Sequence, residues 1–79
     1  MITERELLDT GWEVHSYTYK KRVGAKEFTI YHLGMFRSGT LANTTINDGR
    51  NKASIKSIQD IDKFIKDNTG FKGFVKSIL

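Results

Sequence analysis

His15 and His32 are the side chains in this sequence best suited to hold a metal or move a proton near neutral pH. Each falls in a stretch rich in β-branched and aromatic residues, so they are expected on neighbouring strands, their separation set by register. A zinc site needs three or four ligands, and two histidines do not complete one. The nearest carboxylates in sequence, Glu13 and Glu27, flank a predicted strand and a predicted turn. There is no cysteine, hence no thiolate nucleophile and no disulfide framework. No serine stands in a nucleophile elbow, and the paired carboxylates of a nuclease are missing. Gly34 and Gly39 lack the spacing and the Gly-Lys-Ser/Thr run of a phosphate loop. These residues predict no catalytic centre, no metal and no cofactor, and a chain that is not an enzyme.

The cations are more informative. Residues 14–56 carry Lys20, Lys21, Arg22, Lys26, Arg37, Arg50, Lys52 and Lys56 against only Glu27 and Asp48. Residues 1–13 set Arg5 against Glu4, Glu6, Asp9 and Glu13. A basic block of this kind favours a polyanionic partner. Tyr17, Tyr19 and Lys21 share strand parity, and Lys20, Lys21, Arg22 and Lys26 surround the tip of a predicted hairpin. Aromatic rings offer stacking surfaces to bases, and lysines beside them displace counterions from phosphates. Arg37 with Ser38-Gly39-Thr40, and Arg50-Asn51-Lys52, form two further basic turns suited to phosphate contacts. The same residues also fit a soluble hairpin tip with cross-strand packing tyrosines.

These side chains need a scaffold. Seventy-nine residues suffice for a single domain spanning 1–79, with a modest core. Thr3-Glu4-Arg5-Glu6 reads as a capping box opening a helix over 4–10, which Gly11 stops. Residues 12–22 and 27–36 read as two strands joined by a turn at 23–26, with Gly24 free to adopt positive φ. A third strand over 40–46 is polar enough for a sheet edge, and Asn47-Asp48-Gly49-Arg50 turns into a short fourth over 52–56. Neither long strand alternates cleanly. That implies a bulge that swaps the faces, a sheet covered on both sides, or a face kept for a partner. Ser57 caps a second helix, whose apolar stripe is Ile58, Ile61, Phe64 and Ile65 and whose end is Asn68-Thr69-Gly70. Phe71, Phe74, Val75, Ile78 and Leu79 recur at helical spacing, predicting a short third helix that packs on the core or forms a protein interface, including a homodimer. The expected fold class is α+β: an N-terminal helix, an antiparallel sheet of three or four strands, then one long and one short helix. No run approaches the ~20 apolar residues of a membrane span. The N-terminus lacks the pattern of a signal peptide, so a cytoplasmic location and no membrane partner are expected.

The order helix, antiparallel strands, helix resembles that of the double-stranded-RNA-binding domain. Lys52-Ala53 matches one fragment of that family's lysine pair with alanine at the start of its last helix; the full motif is not present. A strand-rich region followed by a helix is also similar to the arm-site DNA-binding modules of phage integrases. Both resemblances are of element order.

The reading that joins these observations is a small basic binding module, an accessory protein that contacts nucleic acid. Its expected phosphate contacts are Lys20, Lys21, Arg22, Lys26, Arg37, Arg50 and Lys52, and its expected stacking residues are Tyr17 and Tyr19. The alternative is a protein-binding regulator or inhibitor of the kind phages and mobile elements encode. It would act through an exposed sheet face or through the apolar face of 71–79.

Overall fold

The computed structural model describes residues 1–69. The fold is α+β, with antiparallel strands between two helices. Helix α1 spans Glu4–Asp9 and forms as its sequence dictates. The Thr3 hydroxyl accepts from the Glu6 amide at 3.2 Å, and the Glu6 carboxylate accepts from the Thr3 amide at 3.0 Å. Two amides with no partner inside the helix are satisfied reciprocally, and Glu4 and Glu6 sit at the positive end of its dipole. Gly11, at φ 94°, turns the chain out of the helix.

Seven strands follow: β1 (Glu13–His15), β2 (Thr18–Val23), β3 (Lys26–Tyr31), β4 (Gly34–Met35), β5 (Leu41–Ala42), β6 (Thr45–Asn47) and β7 (Lys52–Ser54). Five form one antiparallel sheet in the order β1-β2-β3-β6-β7, and β4 pairs with β5 separately. The expected count of three or four strands is therefore exceeded, for a local reason. The stretch 12–22 is not one strand. It folds back at Ser16-Tyr17, where Ser16 takes φ 56° and His15 pairs with Thr18. Positive φ at the first loop position suits a two-residue hairpin. The mixed parity of Trp12 and Val14 against Tyr17 and Tyr19 comes from this hairpin.

The second long stretch divides in the same way. β3 ends at Tyr31, and the chain leaves the sheet to build the β4–β5 unit. Asn43, at φ 53°, then breaks the predicted third strand into β5 and β6. β6 is not an edge: it lies between β3 and β7, and Ile46 is fully buried. The edges are β1 and β7, each three residues long and exposed throughout.

Register sorts the side chains into two faces. Tyr19, Ile30 and Ile46 stand opposite one another across β2, β3 and β6, with Phe28 two residues along from Ile30. All four are buried, together with Leu7 and Ile61 from the helices and with Ile2, Trp12, Leu41 and Ile55. Helix α2 spans Ile58–Asn68 and is capped by Ser57, whose hydroxyl accepts from the Asp60 amide at 3.3 Å. Phe64 of α2 meets Phe28 edge to face at 6.1 Å, which seats the helix on the sheet. Both helices thus cover the face that holds Tyr19 and Phe28. The third helix expected over 71–79, with Phe71, Phe74, Val75, Ile78 and Leu79, lies outside the described residues. Lys52-Ala53 belongs to β7 and not to the start of a helix, so the partial motif match has no structural counterpart.

Candidate functional site

The opposite face of the sheet carries no helix among the described residues. Alternation from the buried positions assigns it Lys20 and Arg22 on β2, Glu27, Thr29 and Tyr31 on β3, Thr45 and Asn47 on β6, and Lys52 and Ser54 on β7. Glu13 and His15 of β1 complete it. Two rows cross the sheet in register. One runs Glu13, Lys20, Thr29, Asn47, Lys52; the other runs His15, Thr18, Tyr31, Thr45, Ser54. The second row is four hydroxyl side chains and an imidazole, with the phenol ring of Tyr31 at its centre. Tyr31 is 48% exposed.

The structure brings together only part of the predicted set. Lys20 and Arg22 project from one strand and Lys52 from another, about 14 Å away at the usual strand spacing. Among the described residues Lys20, Arg37, Arg50 and Lys52 make no ion pair, and the Arg22 guanidinium donates to the Ala25 carbonyl at 3.4 Å. Arg50 lies in the exposed β6–β7 turn, two residues before Lys52. Arg37 stands in the loop of the β4–β5 unit, outside the main sheet. Tyr17 is 80% exposed in the β1–β2 turn.

Three predicted contacts have structural roles. Tyr19 is 2% exposed, so its ring has no open face on which a base could stack. Its hydroxyl donates to the Glu4 carboxylate at 2.6 Å and ties α1 to the sheet. Burial, reinforced by that hydrogen bond and by the Glu4 charge, pushes its ionisation far above the ordinary tyrosine range. Lys21 has the parity of Tyr19, and its ammonium donates to the Thr10 carbonyl at 2.6 Å, closing the C-terminal end of α1. Lys26 is paired with Asp48 at 3.0 Å. The Asp48 carboxylate also accepts from the Asn51 amide at 2.7 Å and the Arg50 amide at 2.9 Å. These hydrogen bonds, with Lys26 beside it, outweigh burial and hold its pKa at about 2.

The histidines do not converge. His15 lies on β1 with its ring 3.5 Å from Glu13, and β2 separates it from β3. The His32 ring is on the core side, 5.5 Å from the Tyr19 ring, with Nδ1 3.0 Å from the Gly34 carbonyl. No group of three or more metal-ligating side chains occurs among the described residues.

The acids are unevenly distributed. Six of the nine carboxylates lie on the helices, Glu4, Glu6 and Asp9 on α1 and Asp60, Asp62 and Asp67 on α2. Asp48 is engaged by Lys26. The open face keeps Glu13, opposite Lys20, and Glu27, opposite Arg22. It is thus a polar surface with a modest cationic bias, not an unbroken basic patch. Sequence reasoning missed Tyr31 as its central ring. The signal was available in Phe28 and Ile30: once both point inward, residue 31 must point outward. The fold and this face define an α+β protein with its two described helices on one side of an antiparallel sheet. No protein-family model, curated protein or solved structure matches the chain. No helix among the described residues is long and apolar enough to cross a membrane.

Proposed function

We propose that this protein binds nucleic acid through the open face of its five-stranded sheet. The observation that carries the reading is that Lys20, Arg22 and Lys52 share that face, with Arg50 in the adjoining turn, against Glu13 and Glu27, while six of the nine carboxylates lie on the helices. Unpaired cations on a broad surface suit phosphates, and the threonine and serine hydroxyls between them suit sugar and phosphate oxygens. Tyr17 and Arg50 extend the contact from the turns, whereas Arg37, whose loop is joined to the start of α1 through the Gly39 carbonyl and the Glu4 amide, does not. Lys21, Lys26 and Tyr19 act indirectly by holding the sheet in shape.

A mobility-shift titration across salt tests this. Affinity should fall steeply as salt rises, because each neutralised phosphate releases counterions. Replacing Lys20, Arg22 and Lys52 together by alanine should weaken binding and reduce the log–log salt slope by roughly 0.7–0.9 for each phosphate no longer neutralised. A flat salt response, or a slope unchanged in the triple variant, would refute the reading.

One observation favours the second reading, a protein-binding regulator. The β4–β5 unit exposes Leu33, Met35 and Phe36, with Leu33 82% and Phe36 56% accessible. Exposed apolar side chains so close together in sequence suit a protein surface. Binding that ignores salt and is lost in Phe36→Ser would favour that reading over the first.

A further inference from the structure

We infer that the nucleic acid this face takes is single-stranded, with Tyr31 as the residue on which a base stacks. The inference rests on the nucleic-acid reading and narrows it. Two observations carry it. The first is width: five strands at a spacing of about 4.8 Å span about 19 Å, against a major groove of about 12 Å. A face that broad lies across the phosphate ridges of a duplex and does not reach base edges. Splayed bases of a single strand can lie flat on it.

The second observation is the position of the ring. Tyr31 ends β3, the middle strand, with Thr18 on one side and Thr45 on the other. Neither neighbour is large enough to cover it, and 48% of it remains exposed. Lys20 lies diagonal to it across β2, within the reach of a long side chain. An aromatic platform flanked by hydroxyls, with a cation one position away, can stack a base while its phosphate meets the ammonium. The buried aromatics Tyr19 and Phe28 have no comparable open surface.

The test is fluorescence anisotropy at low salt, with the full chain, on labelled 12-nucleotide DNA and RNA single strands and on the 12-base-pair duplex. The single strands should bind more tightly than the duplex; the DNA and RNA arms identify the preferred backbone. Tyr31→Ala should weaken single-strand binding about tenfold or more. Its salt slope should stay unchanged, because stacking releases no counterions. Tyr31→Phe keeps the ring and should bind within about threefold of the parent, a conservative check that the site is intact. Duplex binding equal to or tighter than single-strand binding, or a Tyr31→Ala variant that binds single strands normally, would overturn this inference. Salt-dependent binding would then leave the broader reading standing. Absence of binding to all three probes would overturn both.

Discussion

Asp48→Asn should alter how stability responds to acid, and the structure fixes the size of the change. The Asp48 side chain is fully buried while its partner Lys26 is 39% exposed. Its carboxyl is lowered from an ordinary value of 3.8 to about 2, chiefly by the Asn51 amide, with Arg50 and Lys26 adding to the effect. A depressed pKa contributes stability that is present above the unfolded value and disappears as pH falls through the folded one. At about 1.4 kcal/mol per pKa unit the shift corresponds to about 2 kcal/mol, with the Lys26 share at the low end because solvent screens it. Between pH 5 and pH 2 the parent should therefore lose about 2 kcal/mol that the asparagine variant does not lose. Trp12, the only tryptophan and 3% exposed, reports unfolding by its fluorescence. Urea titrations of both proteins at pH 5, 4, 3 and 2 give the comparison. Stability profiles that run parallel across that range would show that the carboxylate charge is not held by this turn, and the reasoning would fail.

Tyr19→Phe removes the hydroxyl that donates to Glu4 and leaves the ring in place, so it should cost about 1.5 kcal/mol by chemical denaturation, or roughly 6–12 °C in Tm. In the parent, the raised pKa of Tyr19 contributes stability that is complete below the ordinary tyrosine range and is lost as pH climbs past it; the phenylalanine variant should show a shallower alkaline decline. Phe28→Ala empties a fully buried position and breaks the edge-to-face contact with Phe64, at about 3–5 kcal/mol. That is comparable to the whole stability of a small domain, so circular dichroism should find much of the variant unfolded at 37 °C.

Both described helices were legible because their signals are local. Thr3 with Glu6, and Ser57 with Asp60, are caps within one helical turn, and each forms as its spacing predicts. The sheet was legible in kind but not in strand count. Its breaks occur at Ser16 and Asn43, two non-glycine residues with positive φ that carry no strong sequence mark. Ser16 opens the two-residue β1–β2 turn and Asn43 separates β5 from β6, conformations that their residue types permit but do not require. The site suffered for the same reason. Whether Lys20 or Lys21 faces outward depends on where β2 begins, because a shift of one residue exchanges the faces. Tyr17 and Tyr19 drew attention as a pair, yet one lies in a turn and the other in the core. Asp48 looked like an ordinary turn residue until its three donors were brought together.

The brevity of β1 and β7 has a bearing on how the molecule behaves at high concentration. A sheet with long, bare outer strands invites further strands to add, and growth of that kind has no natural stopping point. Here each border offers three residues, with Glu13 and His15 on one side and Lys52 on the other. An added strand would gain few ladder hydrogen bonds and would have to accommodate charge beside it. Borders this short and this charged give an added strand little to hold, which discourages fibre-like growth.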